Sequence, residues 1–223
     1  MNYEYRGFRG IFMLQDWQIL HKEVICDFLY FLNSKTNKFI LKDGTSLMLC
    51  YGLIRFSEDI DLDGFDTQFF KYVDLFVKSF NHKYSGLTYR KAKDTSTVKR
   101  VFIHYGGSKP LKIEVSYRRR SISSNDFCII SGISVYSIEN IMSMKIGAFQ
   151  GRDKIRDLFD IVFVYLNYKS CLSNEVISLL TNAVAFKGVE QFDYLISNQS
   201  DPLIDNNVLL DGFLTMYYDL GLQ

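Results

Sequence analysis

Asp59 and Asp61 stand two residues apart in Phe56-Ser57-Glu58-Asp59-Ile60-Asp61-Leu62-Asp63, with Ile60 and Leu62 in the alternate positions. In a strand, residues i and i+2 point to the same face. The spacing therefore predicts two carboxylates side by side on an element that its apolar neighbours anchor in a core. Such a pair repels itself unless a cation lies between or beside the oxygens. Mg²⁺, or Mn²⁺ in its place, suits the pair, because Mg²⁺ takes one or two protein carboxylates and leaves its other positions to water and substrate phosphates. Two other readings compete. Asp59-x-Asp61-x-Asp63-Gly64 matches the first half of an EF-hand loop, yet the twelfth position is Phe70 where a bidentate glutamate is needed. A solvated acidic strand end is the other.

A candidate phosphate site lies just upstream. The run Lys38 to Lys42 reads as a strand that ends where Gly44 lets the backbone turn. Thr45 and Ser46 then fall where a helix begins, so backbone N–H groups and hydroxyls are presented together to phosphate oxygens. The apolar residues from Leu47 to Leu53 fit a helix of about two turns, closed by Gly52. Ser57, two residues before Asp59, is expected on the same strand face, either touching metal-bound phosphate or orienting Asp59. A further carboxylate stands in Leu111-Lys-Ile-Glu-Val-Ser-Tyr117, where Glu114 alternates with Ile113 and Val115 on the face of Lys112 and Ser116. An ordinary exposed position on an alternating strand is the competing reading for Glu114.

The elements that must hold these groups follow from periodicity. Trp17, Leu20, Val24, Phe28 and Phe31 mark a helix from about Leu14 to Leu32, and Phe69 to Phe80 reads as a second. Strands are expected at Leu87 to Lys93, Val98 to Tyr105 and Leu111 to Tyr117, the last two joined by the turn Gly106-Gly107-Ser108-Lys109-Pro110. From about Ile138 the pattern is helical, with breaks near Lys169, Gly188 and Asp201-Pro202. The expected fold is α+β: a mixed sheet with flanking helices over residues 1–132, then a helical bundle over 133–223. Within the second part, Lys145 to Asp160 reads as one helix. Lys145 and Arg152 would then stack over two turns and reach triphosphate oxygens, with Arg156 and Asp160 spaced as an i,i+4 pair. A charged helix face with internal salt bridges is the plain alternative.

Composition narrows the class. The chain has 223 residues and a net charge of +1, enough length for a real core and too little charge for a protein that coats DNA. It has no apolar run of about eighteen residues, and Met1-Asn-Tyr-Glu-Tyr-Arg lacks a secretion pattern, so a cytoplasmic location without membrane contact is expected. Cys26, Cys50, Cys128 and Cys171 show no CxxC spacing and read as core or near-core thiols. The three histidines, His21, His82 and His104, are scattered and read as structural. Two basic clusters, Arg118-Arg119-Arg120 and the group Lys91, Lys93, Lys99 and Arg100, suit either nucleic-acid phosphates or a solvated hairpin face.

Gly44-Thr45, Tyr51-Gly52 and Arg55-Phe56-Ser57-Glu58-Asp59-Ile60-Asp61-Leu62 resemble the signature of the AbiEii-type nucleotidyltransferases, toxins of bacterial abortive-infection and toxin–antitoxin systems related to the MenT toxins. The usual Gly-Gly-Thr-Ala-Leu opening of that family is Asp43-Gly-Thr-Ser-Leu in this chain. A second block, Met144 to Asp160, resembles the family's later lysine, alanine, arginine and Arg-Asp-x-x-Asp pattern. The resemblance implies a polymerase-beta-like nucleotidyltransferase fold and transfer of a nucleotide from a nucleoside triphosphate. An RNA acceptor such as a tRNA end is implied with it, and a cognate AbiEi-like antitoxin. It implies that Asp59, Asp61 and Glu114 hold the metal, with Glu114 drawing the proton from the attacking hydroxyl. Gly44, Thr45, Ser46 and Ser57 would meet the triphosphate. Lys145 and Asp157, and with them Arg152, become functional, while Arg55, Arg156 and Asp160 give support. A small-molecule or protein acceptor, and a catalytically degenerate binding module, remain the alternatives.

Overall fold

The structure is a computed structural model, and it describes residues 14–222. The described residues divide into two units, one of 14–52 with 56–137, the other of 53–55 with 138–222. The division falls a few residues later than the expected 132/133 boundary, because a strand at Ile133–Tyr136 completes the sheet of the first unit.

In the first unit α1 (Asp16–Lys35) leads into β1 (Phe39–Lys42), α2 (Asp43–Cys50), β2 (Ile60–Gly64) and α3 (Phe69–Phe80). Then come β3 (Thr88–Asp94), β4 (Val98–His104), β5 (Leu111–Ser116), β6 (Phe127–Ile130) and β7 (Ile133–Tyr136). The strands form one mixed sheet in the order β3-β4-β5-β2-β1-β7-β6, so β2 is central. It runs parallel to β5 and antiparallel to β1. One face is apolar: Leu41, Ile60, Leu62, Ile113 and Val115 are buried, and α1 and α3 close over that side with Phe28 and Phe39 meeting Phe76 and Phe69 edge-on or tilted. Alternation then turns Asp61, Asp63, Lys112, Glu114 and Ser116 to the other face.

The β6–β7 hairpin was not among the expected strands. Its two-residue connection, Ser131-Gly132, has both φ angles positive (49° and 82°), the mirror-image turn that matches strand twist. Cys128 and Cys171 are exposed, unlike the near-core setting expected of all four thiols, because Cys128 lies on an edge strand and Cys171 in a short surface turn.

The second unit holds α4 (Ile138–Gly151), α5 (Ile155–Tyr168), α6 (Asn174–Asn198) and α7 (Asn206–Asp219). The breaks expected near Lys169 and Gly188 are present, the first as a 3-10 turn and the second as a kink where Gly188 takes φ 70°. The single helix expected from Lys145 to Asp160 is two. The chain leaves helical form at Gly151, and Lys154 takes extended angles before α5 begins, so Lys145 and Arg152 do not stack along one axis. Among the described residues no helix is long and apolar enough to cross a membrane.

Candidate active site

The carboxylates assemble on β2 and β5. Asp61 is directly opposite Glu114 in parallel register, which sets their strands about 5 Å apart and both side chains on one face. Asp59 falls one residue before β2, and its carboxylate is held by the Lys112 ammonium at 2.5 Å. Glu114 accepts from Arg100 Nε at 2.6 Å. Lys112 and Arg100 are thus counter-charges that the sequence reading had placed only as a face neighbour and as part of a basic cluster. Their alternation with Glu114 and their cross-strand positions were the available signal. Burial pushes the Asp61 carboxyl up to about 6, and the neighbouring charge of Asp43, with Asp59 and Glu114, adds to the effect against the opposing Lys112.

Asp63 uses the same face differently. It is buried, accepts from Lys42 Nζ at 2.7 Å and from the Tyr136 hydroxyl at 2.8 Å, and so ties β2 to β1 and β7. That set of partners accounts for Asp63 without any calcium loop.

Two further contacts fix the approach to β2. His21 on α1 bonds the Glu58 carbonyl (2.7 Å) and the Tyr105 hydroxyl (2.5 Å), as a structural histidine would. Thr45, in the first turn of α2, hydrogen-bonds the Ser57 hydroxyl at 2.9 Å and the Asp59 carbonyl. Ser57 therefore lies in the segment before β2 rather than on the strand, placed by Thr45 and by its own N–H to the Met48 sulfur. The Ser46 hydroxyl turns back to the Asp43 carbonyl at 2.6 Å, and both Thr45 and Ser46 are buried. The Thr45 hydroxyl thus goes to the segment before β2 and the Ser46 hydroxyl to the turn, so an anion at the start of α2 would meet the backbone N–H groups. Asp43 opens that helix with φ 62°, a left-handed backbone that glycine adopts freely and aspartate less often.

Thr45→Val removes a hydroxyl that links the helix start to the backbone at Asp59. We expect a loss of about 1–3 kcal/mol in urea unfolding and weaker nucleotide transfer, with Thr45→Ser restoring both. A fully active Thr45→Val protein would show the link to be dispensable.

In the helical unit, Arg55 meets Asp160 through two bonds of 2.7 and 2.6 Å, and Lys145 adds a third contact to Asp160 at 2.9 Å. Lys145 also stands 3.8 Å from Asp157, which accepts from Arg152 at 2.6 and 2.9 Å. Arg55, Lys145, Asp157 and Asp160 are all buried, while Arg152 is largely exposed. Arg156 pairs with Asp201, not with Asp160 as the i,i+4 spacing suggested, because Asp160 points into the buried cluster and Arg156 lies outside. Although burial works to raise it, the Arg55 and Lys145 charges hold the Asp160 carboxyl below the usual carboxylate range.

The donor chemistry fits a hard divalent cation: the carboxylates of Asp61 and Glu114 at facing strand positions and of Asp59 just before β2, with Asp61 carrying more negative charge around it than Lys112 offsets. As placed, no three of the described His, Cys, Asp or Glu side chains converge on one point, since Lys112 holds Asp59 and Arg100 holds Glu114.

A mixed sheet with a carboxylate pair at its central strand, a helix start beside it and a helical unit after it define a nucleotidyltransferase. The chain belongs to the AbiEii family of nucleotidyl transferase toxins of type IV toxin–antitoxin systems, matching the family over residues 27–213. Its structure is similar to that of JHP933 from Helicobacter pylori, with a TM-score of 0.77 and 26% identity over 94% of this chain and 95% of that one. It is also similar to MenT4, a nucleotidyltransferase toxin from Mycobacterium tuberculosis. There the TM-score is 0.57 and the identity 15%, over 92% of this chain and 84% of that one, a likeness of fold. No match was found among curated protein sequences.

Proposed function

We propose that the protein transfers a nucleoside monophosphate from a nucleoside triphosphate to an RNA acceptor, a tRNA-sized molecule foremost, with a divalent metal bound at Asp59, Asp61 and Glu114. The observation that supports this most is the register of Asp61 with Glu114, which gives one face of a rigid sheet the carboxylates that phosphoryl transfer requires. Bound there, Mg²⁺ or Mn²⁺ would neutralise charge that develops on the phosphoryl and leaving oxygens.

The chain's own residues supply the rest of the proposal. We assign to Glu114, beside its role at the metal, the proton of the attacking hydroxyl. Gly44, with the backbone N–H groups of Thr45 and Ser46, would hold triphosphate oxygens at the start of α2. Ser57 and Thr45 keep that helix start at a fixed distance from Asp59. In the helical unit Arg152 is the exposed cation we assign to a phosphate oxygen, and Asp157 aims its guanidinium. Lys145, Arg55 and Asp160 are assigned to holding α4, α5 and the segment at Arg55 together, and Arg156 to the Asp201 loop. Membership of a type IV toxin–antitoxin family implies an antitoxin as partner.

The test is incubation with total bacterial RNA, Mg²⁺ and each α-labelled nucleoside triphosphate in turn, beside Asp59→Ala. Label is expected in a tRNA-sized band with the wild type alone. Equal labelling by a folded Asp59→Ala protein would sink the assignment of the carboxylates, and labelling of a small molecule instead of RNA would sink the acceptor.

A further inference from the structure

Four basic residues near the β3–β4 hairpin read as one cluster in the sequence, but the strand register divides them. Lys91 and Lys99 fall on the apolar side of the sheet, where their ammonium groups sit 4.3 and 5.1 Å from the Phe70 ring centre, and Lys99 also caps Tyr117. Those two therefore lie on the side away from the carboxylates.

Lys93 and Arg100 take the carboxylate face, and Arg90, outside that group of four, shares it. Arg90 pairs with Phe102 and Phe102 with Lys112, whose ammonium meets Asp59. In the next row Lys93 pairs with Arg100, Arg100 with Glu114, and Glu114 with Asp61. Two adjacent cross-strand rows thus run from the sheet edge to the acidic centre, positive at one end and negative at the other. The Arg90 guanidinium lies 5.1 Å from the Phe102 ring centre. Arg90 and Lys93 are exposed and, among the described residues, neither has a carboxylate partner. β3 is the edge strand, three strand spacings or about 14 Å from β2.

Cations without a carboxylate partner beside a half-buried aromatic ring, on an open strand edge, suit a strand of nucleic acid. Phosphates answer the charges and a base can stack on the ring whatever its identity. A small acceptor would call for a concave pocket with converging polar groups instead. We propose that Arg90, Lys93 and Phe102 form a platform for the single-stranded end of the RNA acceptor. A base would take the place of the Arg90 guanidinium on Phe102, with phosphates on the displaced Arg90 and on Lys93, so that the terminal hydroxyl is led along the rows to Asp59, Asp61 and Glu114. This rests on the RNA-acceptor reading and adds the surface that would carry it.

The test is fluorescence anisotropy of a labelled single-stranded RNA oligomer against the wild-type protein, Phe102→Ala, the pair Arg90→Glu with Lys93→Glu, and a control of equal charge change, Lys71→Glu with Lys91→Glu. All are first checked for an unchanged thermal midpoint. The front-face pair is expected to weaken binding at least about tenfold and to flatten its salt dependence, since fewer counterions are released. Phe102→Ala should cost about tenfold through lost stacking, and the control less than about twofold. Equal loss in the control, unchanged binding in the front-face variants, or no RNA binding by the wild type overturns the platform.

Label transfer separates the two ideas. RNA that binds the platform but takes no label from any triphosphate would sink the RNA-acceptor reading and leave the surface. RNA labelled by the front-face variants with an unchanged KM would sink the platform and leave the function.

Discussion

Asp61→Asn is expected to lower nucleotide transfer by about 10³-fold, at the upper end of what removing one electrostatic stabiliser costs, while leaving the protein folded and no less stable at pH 7.5. The two effects share a cause. Asp61 is central in the sheet, faces Glu114 in register, and has Asp43 and Asp59 near enough to disfavour its charge. Burial and those neighbours raise its proton affinity above that of the unfolded chain, whose ordinary value is 3.8. For a carboxyl raised in this way the ionised form is a cost to folding. That cost is absent below the ordinary value and complete above about 6. An amide of the same shape removes it. On the proposed reading, the site keeps a destabilising charge because a bound cation would use it.

Thermal unfolding with and without Mg²⁺ gives the second half of the test. The wild type should gain stability on Mg²⁺ addition, as any ligand of the native state confers. Asp61→Asn should gain little, and chelation should abolish wild-type transfer. A variant that loses both transfer and fold would make Asp61 structural. One that keeps transfer would remove it from the site.

Asp160→Asn should have the largest effect on stability, a loss of about 3–5 kcal/mol at pH 7, the range for breaking one partner out of a buried ion pair. The amide leaves the Arg55 guanidinium and the Lys145 ammonium, both buried, without the carboxylate that answers them. The pH dependence follows from the sign of the shift. Asp160 is held below its ordinary value of 3.8 by Arg55 and Lys145, so its contribution is complete above that value. It is lost as pH falls through the lower folded value. Urea unfolding should therefore show a constant gap between wild type and variant from neutral pH down to about 5, and a narrowing gap under 3.8. A gap under about 1 kcal/mol, the range of exposed pairs, or one that does not narrow in acid, would mean that the cluster is not held by charge.

Alternation made Asp59 and Asp61 legible as a pair and put Glu114 on the polar face of its own strand, because the side-chain period of a strand is fixed by its backbone and needs no partner to be read. The family resemblance joined Glu114 to the pair, and the fold sets Asp59 just before β2. Helical periodicity placed α1 and α3 in the same way, and glycine marked the kink at Gly188. The Ser131-Gly132 dipeptide is an equally local signal for the β6–β7 hairpin, but its flanking strands of four residues each are too short for alternation to stand out. The break between α4 and α5 at Gly151 was also local, but the charged block around it reads as helical throughout.

Pairing lay outside the sequence's reach. That Lys112 answers Asp59, that Arg100 answers Glu114 and that Arg156 goes to Asp201 depends on which strands and loops become neighbours, over separations that no periodicity encodes. The same holds for the buried hydroxyls of Thr45 and Ser46, which suggest a phosphate contact by type and bond the Asp59 carbonyl and the Asp43 carbonyl in the fold. The sequence by itself determined the residue types, their faces and the class of chemistry. Tertiary structure alone decided which charges meet, because Coulomb and hydrogen-bond energies depend on distance through space, and only the folded chain sets that distance.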